Sequence, residues 1–263
     1  MEIISRISMG SKMDQIYIPK NRMGFNIGSY VVIKPLEHEK PIEKPYFYNI
    51  SSIEPVKLKL IDEIFKIISD VVSYENIIVT GSFLDLGFNF EDIDILIISE
   101  GELDTANIEK KIESSLKIKN HIINFSKKTF DEALSTDPLW RMMLSKCISK
   151  YRLKPIPKKR INYKILDLHL LKSKPLIDNF DYLNGKEKYK LIRNLIAIKL
   201  FLTSKKITKE SVNKEIKNIF GISVEKIKNN LLDKNLFIKK YKTVYNETFN
   251  EIMKYTKNEP KQK

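Results

Sequence analysis

Two aspartates, Asp92 and Asp94, open an apolar run from Ile93 to Ile98 that reads as a buried strand. Alternate strand residues point to the same side, so both carboxylates project from one face while Ile93 and Ile95 pack on the other. At an effective dielectric of about 20, two such charges a few ångströms apart repel by roughly 3–4 kcal/mol. A divalent cation relieves that repulsion, and magnesium takes oxygen ligands of this kind together with substrate phosphates. Upstream, Ile77 to Thr80 reads as a second buried strand, ending at Gly81 and Ser82. Glycine lets backbone approach a phosphate closely, and the N–H groups that follow can cradle the anion. The candidate chemistry is metal-assisted handling of a phosphorylated ligand.

These residues need a frame to hold them. Pro55 suits the first turn of a helix whose buried stripe is Leu58, Ile61, Ile64, Phe65 and Ile68. A second helix starts at Thr105, with Asp104 or Thr105 as its N-cap. Residues 117–125 read as a third strand and residues 129–135 as the opening of a further helix. Asp137-Pro138 then interrupts the chain before LWRMMLSKCI, which reads as helical. On it, Arg141 and Lys146 are candidate phosphate or acceptor contacts, and equally a solvated face; Trp140 reads as a core or interface anchor. The order of elements predicts a small α/β domain with a mixed sheet over residues 55–150.

The Gly-Ser turn, nine residues, then Asp-Ile-Asp in an apolar strand resembles the signature of the nucleotidyltransferase superfamily. That superfamily includes DNA polymerase beta, CCA-adding enzymes and the small prokaryotic protein adenylyltransferases. The motif covers Gly81 to Ile98, and the resemblance extends to about residue 150. It implies attack of a hydroxyl on the α-phosphate of a nucleoside triphosphate, ATP being the default donor, with release of pyrophosphate. A nucleoside monophosphate would pass to a hydroxyl of a protein or RNA acceptor. Asp92 and Asp94 would hold Mg²⁺ or Mn²⁺, and Gly81 and Ser82 would bind the β- and γ-phosphates. Active members usually carry a third acid on the strand assigned to residues 117–125. This sequence offers Asn124 there, a neutral oxygen ligand, with Asp131 or Glu132 as substitutes if the register differs. A nucleotide-binding domain without fast transfer is therefore a second expectation.

Residues 1–54 read as a small β unit and linker. Arg6, Gly10, Lys12, Ile18, Pro19, Arg22, Ile27, Gly28 and Val31 follow an order that resembles the AbrB/SpoVT/MraZ swapped-hairpin module. The resemblance implies a homodimer that binds DNA through Arg6, Lys12, Lys20 and Arg22, and hence a DNA-binding regulator or antitoxin-like protein as the alternative function. A β extension packed on the next domain is the plainer reading. Glu37 to Ile50 reads as a charged linker whose Tyr46, Phe47 and Tyr48 anchor it to a domain surface.

Residues 151–263 read as a basic linker with Pro155 and Pro157, followed by a helical bundle. Leu191, Leu195, Ile198 and Leu202 share one stripe. Arg193 interrupts that apolar helix, either facing a cleft or snorkelling at the bundle edge. In the superfamily, such bundles often form a second wall of the cleft. The whole chain is expected to be α/β (α+β): β module, mixed sheet with flanking helices, helical bundle.

Composition bounds the rest. The 263 residues carry a net charge of +14, which favours an anionic partner: nucleotide, DNA or RNA. At 42% the hydrophobic share is enough for a core. One cysteine, Cys147, excludes an internal disulfide framework and a cysteine-based zinc site. His38, His121 and His169 show no metal-ligand spacing. No apolar run is long enough to span a bilayer and no signal-peptide core is visible, so the expected location is cytoplasmic, without a membrane partner.

Overall fold

The computed structural model describes residues 7–8, 10–18, 26–32 and 44–257. The chain forms two compact units, residues 1–43 and 44–263. In the first, β1 (Ile7–Ser8) pairs antiparallel with β2 (Gln15–Ile16), Ile7 opposite Ile16. Lys12 is exposed. Arg6, Lys20 and Arg22 lie outside the described residues, so their DNA-binding role rests on sequence alone.

The second unit is mixed α/β. Its chain order is β3 (Tyr46–Tyr48), α1 (Pro55–Ser69), β4 (Asn76–Thr80), β5 (Ile93–Ile98), α2 (Thr105–Leu116), β6 (Asn120–Phe125), α3 (Lys127–Thr136), α4 (Pro138–Leu144) and β7 (Cys147–Ser149). The five strands form one sheet in the order β3-β7-β4-β5-β6. Only β5 and β6 run parallel; the other pairs are antiparallel. The expected helices are present: Pro55 opens α1, and the Asp104 side chain accepts the Asn107 N–H to cap α2.

Two short strands depart from expectation. Cys147 lies in β7 and not on a helix, because α4 stops at Leu144 and the chain turns back along β4. Burial in that strand pushes the Cys147 thiol up to about 12, which makes it an unreactive core thiol. Tyr46 to Tyr48 do anchor the linker, by adding an edge strand to β7.

Strand alternation sorts the sheet into two faces. Ile77, Val79, Ile93, Ile95 and Ile97 pack under α1 and α2. Ile78, Leu96, Ile98 and Cys147 pack with Phe130, Leu134 and Leu144 of the α3–α4 layer. Beyond α4 lies a helical bundle: α5 (Tyr163–Leu171), α6 (Pro175–Asp178), α7 (Gly185–Leu202), α8 (Lys209–Phe220), α9 (Val224–Lys228) and α10 (Lys234–Lys257). Its central helix, α7, buries Ile192, Leu195, Ile196, Ile198 and Phe201, so apolar residues surround most of its axis.

The expected boundary near residue 150 falls inside this unit. Met142 of α4 belongs to the bundle core. The basic linker is tied to both parts: the Lys159 ammonium donates to the carbonyls of Phe201 (2.8 Å) and Leu202 (3.3 Å) in the bundle, and Arg160 to the Ser135 hydroxyl (3.1 Å) on α3. No described helix is long and apolar enough to cross a membrane.

Candidate functional site

The register of β4 against β5 sets Thr80 directly opposite Asp94. Gly81, the next residue, therefore lies beside that carboxylate. A Cβ on Gly81 would sit 2.1 Å from Asp94 Oδ2, and Gly81 has φ +87°. The turn residue thus meets Asp94, on which the Asp92 charge also acts. Ser82 opens a single 3₁₀ turn, Ser82–Leu84, with its side chain exposed; the Asp85 N–H closes the turn on the Ser82 carbonyl at 3.0 Å.

Asp92 and Asp94 are both half-buried. Burial and the neighbouring Asp92 charge push the Asp94 carboxyl above the usual range, while His121 works against the rise. Neither carboxylate makes a hydrogen bond or ion pair with another described residue. Two adjacent acids without a cation suit one hard divalent ion, with the remaining positions taken by water and phosphate oxygens. Among the described residues no group of three or more His, Cys, Asp or Glu could hold a metal ion.

The raised carboxyl has a consequence for stability. Between its unfolded and folded pKa values, the native state holds more protons than the unfolded state, so stability falls as pH rises through that window. Asp94→Asn should therefore stabilise the metal-free protein at neutral pH by about 1 kcal/mol, or roughly 2–4 °C in Tm, with little change below the carboxylate range. Calorimetric scans at acid and neutral pH check this; a variant that melts lower at neutral pH would contradict it.

The third position differs from expectation. In the parallel β5–β6 register, His121 pairs with Asp94, and Asn124 pairs with Ile97. Asn124 is three residues further along and on the opposite face, because odd and even strand positions point to opposite sides. Its amide is already engaged: Oδ1 accepts from Ser99 Oγ and Nδ2 donates to the Gly101 carbonyl, each at 2.8 Å. Asn124 does not share the site. His121 stands in the neighbouring place, mostly exposed, with Nδ1 3.7 Å from Glu109 Oε1.

Arg141 is also placed elsewhere. Its guanidinium donates to the carbonyls of Leu134 and Pro157, and it lies 5.4 Å from the Phe201 ring centroid. It joins α4 to the linker and the bundle, and burial lowers its pKa. Lys146 does reach the site's edge. Its carbonyl accepts from Thr80 Oγ1 at 3.0 Å, and its ammonium meets Asp85 Oδ1 at 3.0 Å.

Three residues that sequence reasoning passed over complete the arrangement. Lys57, fully buried on α1, donates to the carbonyls of Asp85 (2.5 Å) and Gly87 (2.6 Å) and lies 3.0 Å from Glu54 Oε2. It fixes the loop that joins the Gly-Ser turn to Asp92. Asp85 accepts from Lys146, and from Lys209 at the first turn of α8. Burial would raise the Asp85 carboxyl, but hydrogen bonds and charge from Lys209 and Lys146 outweigh it and hold it below its usual range. The bundle thereby contributes a cation to the edge of the sheet. A signal for Lys57 existed: it extends the stripe Ile61, Ile64, Ile68 backward by one turn. No comparable signal marks Lys209, which comes to Asp85 from 124 residues away. Comparisons of the chain with protein-family models, curated proteins and solved structures gave no match.

Proposed function

We propose that the unit from residue 44 onward binds a nucleoside triphosphate with Mg²⁺ or Mn²⁺ and transfers its nucleoside monophosphate to a hydroxyl of a protein or RNA, in the manner of the nucleotidyltransferase superfamily. The observation that supports this reading is the closeness of the Gly81 turn to the Asp94 carboxylate. Asp92 and Asp94 would hold the ion. When bound, that ion offsets charge on the phosphate oxygens. Gly81, with no side chain, leaves room for the Asp94 carboxylate beside the turn, the exposed Ser82 hydroxyl can donate to a phosphate, and Lys146 adds a positive charge near them. ATP is the default donor.

A second reading has its own support. His121, and not a carboxylate, stands beside Asp94. An acceptor hydroxyl then lacks the acid that aids its activation, and the domain would bind nucleotide without fast transfer, as a sensor in a DNA-binding regulator. One experiment separates the two. The full chain is incubated with each labelled NTP and Mg²⁺ or Mn²⁺, alongside candidate protein and RNA acceptors. Transfer that disappears in Asp92→Asn and in Asp94→Asn supports the transferase. Nucleotide binding with no labelled product supports the sensor, and neither binding nor labelling removes both.

A further inference from the structure

Two cations from separate places in the fold pair with the Asp85 carboxylate, and two more lie against the Tyr189 ring, which the Asp85 charge also reaches. Lys146 follows α4, Lys209 opens α8, Lys228 ends α9, and Arg193 lies midway along α7. Asp85 accepts from Lys146 and Lys209. Lys228 lies 4.9 Å from the Tyr189 ring centroid, and Arg193 lies 6.0 Å from the same ring. Burial lowers the Lys228 pKa, and the charges of Lys209, Lys186 and Arg193 lower it further; Asp85 alone opposes them. Arg193 is largely buried, and its Nε has no hydrogen-bond partner among the described residues. Its terminal nitrogen reaches only the neutral Asn194 Oδ1, at 3.4 Å. Lys186, the next cation outward, is already paired with Glu91 at 2.8 Å. Asp85 meets two of these cations and the exposed Glu210 adds its charge at Tyr189, so cations outnumber acids here, and a partly buried excess of positive charge is costly unless an anion completes it.

The cluster is built and not incidental. A Cβ on Gly185 would lie 2.1 Å from the Lys228 carbonyl, so this glycine lets α9 close on the start of α7 and places Lys228. The backbone of Asp85 is held at both ends, its N–H by the Ser82 carbonyl and its carbonyl by Lys57. Its carboxylate is held only by the two lysines, Oδ1 by Lys146 and Oδ2 by Lys209, so an anion that takes both lysines would release it. The anion that pairs with both lysines thus lies three residues beyond Ser82 of the Gly-Ser turn.

We propose that Lys146, Lys209, Lys228 and Arg193 form a polyphosphate site, and that the Asp85 carboxylate is its resident competitor, releasing both lysines when phosphate enters. The tail of a nucleoside triphosphate and free inorganic polyphosphate share the chemistry this site recognises. The role of the site in catalysis rests on the nucleotide reading above; its affinity for polyphosphate does not.

The test uses calorimetric titration of the full chain, without metal and at fixed salt, with inorganic tripolyphosphate and with ATP. Wild type is expected to bind both. Asp85→Asn should bind about tenfold more tightly, since a like charge has left the site, and Lys209→Ala and Arg193→Gln about tenfold more weakly. Asp85→Glu keeps the competitor and should bind no more tightly than wild type. A second measurement needs no variant. A zero-length carbodiimide should cross-link Asp85 to Lys209 or Lys146 in the free protein, and saturating tripolyphosphate should suppress those links at least about fivefold. Links that persist at saturation, an Asp85→Asn that folds yet binds no better, or a wild type that ignores tripolyphosphate while binding RNA would each overturn the proposal. Tripolyphosphate binding that Asp85→Asn tightens, with no nucleotidyl transfer, would uphold this site and remove the transferase. Transfer with no effect of Asp85→Asn on binding would do the reverse.

Discussion

Lys57→Met should lower the stability of the protein by about 3–5 kcal/mol, the cost typical of removing one partner from a buried ionic group. Methionine keeps most of the side chain's length and apolar stem, so little of the loss would come from a cavity. What disappears is the ammonium. Its partners are the carbonyls of Asp85 and Gly87 and the Glu54 carboxylate, and the rings of Phe83, Phe88 and Phe90 surround it with centroids 5.3 to 5.7 Å away. Removing it leaves two carbonyls without their donor and an acid without its cation, all next to apolar rings. The Gly87 N–H to Glu54 Oε1 bond, 2.6 Å, holds the same loop from the other side, but it cannot replace a charge. Urea denaturation measures the loss; in a chain of this size it amounts to roughly 10–15 °C in Tm. A cost under about 1 kcal/mol would show that the loop is held by its aromatics alone. The functional consequence follows from where the loop leads. It runs from the Gly-Ser turn through Asp85 to Asp92, so the variant should also loosen the pairing of Asp85 with Lys146 and Lys209.

How far such features could be read from the sequence depended on their range. Helix α1 was legible because Pro55 and a stripe at helical spacing lie within fifteen residues. Strands β4 and β5 were legible because each is an apolar run between polar turns, and the Gly81–Asp94 contact follows once two adjacent strands pair. Local pattern failed where a three-dimensional register decides. Asn124 and His121 occupy the same strand, and only the parallel alignment of β5 with β6 shows that His121 is the one beside Asp94. The three-residue strands β3 and β7 are too short for any period to show, so Cys147 read as a continuation of the helix before it. Arg141 looked like a solvated or phosphate-facing cation because nothing local reveals that the Pro157 carbonyl and the Phe201 ring return to meet it. The cations around Asp85 and Tyr189 are the extreme case. Its members lie on α7, on α8, on α9 and after α4, and only the packing of the bundle against the sheet edge brings them together.

Gly81→Ala should be the most damaging small substitution in the site. Two costs combine. The backbone at φ +87° and ψ −162° lies where side chains are poorly tolerated, worth about 1–3 kcal/mol. The new methyl would also meet Asp94 Oδ2 at 2.1 Å, well inside contact distance. Retreat of the main chain is blocked, because Thr80 pairs with Asp94 in the sheet and its hydroxyl donates to the carbonyls of Met143 (2.8 Å) and Lys146 (3.0 Å). The carboxylate must move instead, which separates the pair proposed to hold the metal. Stability should fall by about 2–4 kcal/mol, and any nucleotidyl transfer should fall to the level of Asp94→Asn. The two costs can be parted by a double-mutant cycle. In an Asp94→Ala background the carboxylate is gone, and the remaining Cβ contact of 3.3 Å is tight but tolerable. Gly81→Ala should then cost at least about 1 kcal/mol less than in the wild-type chain. Strict additivity of the two substitutions would mean that Gly81 is required only for its backbone angle, and that the proximity of the turn to the acids is not what the glycine protects.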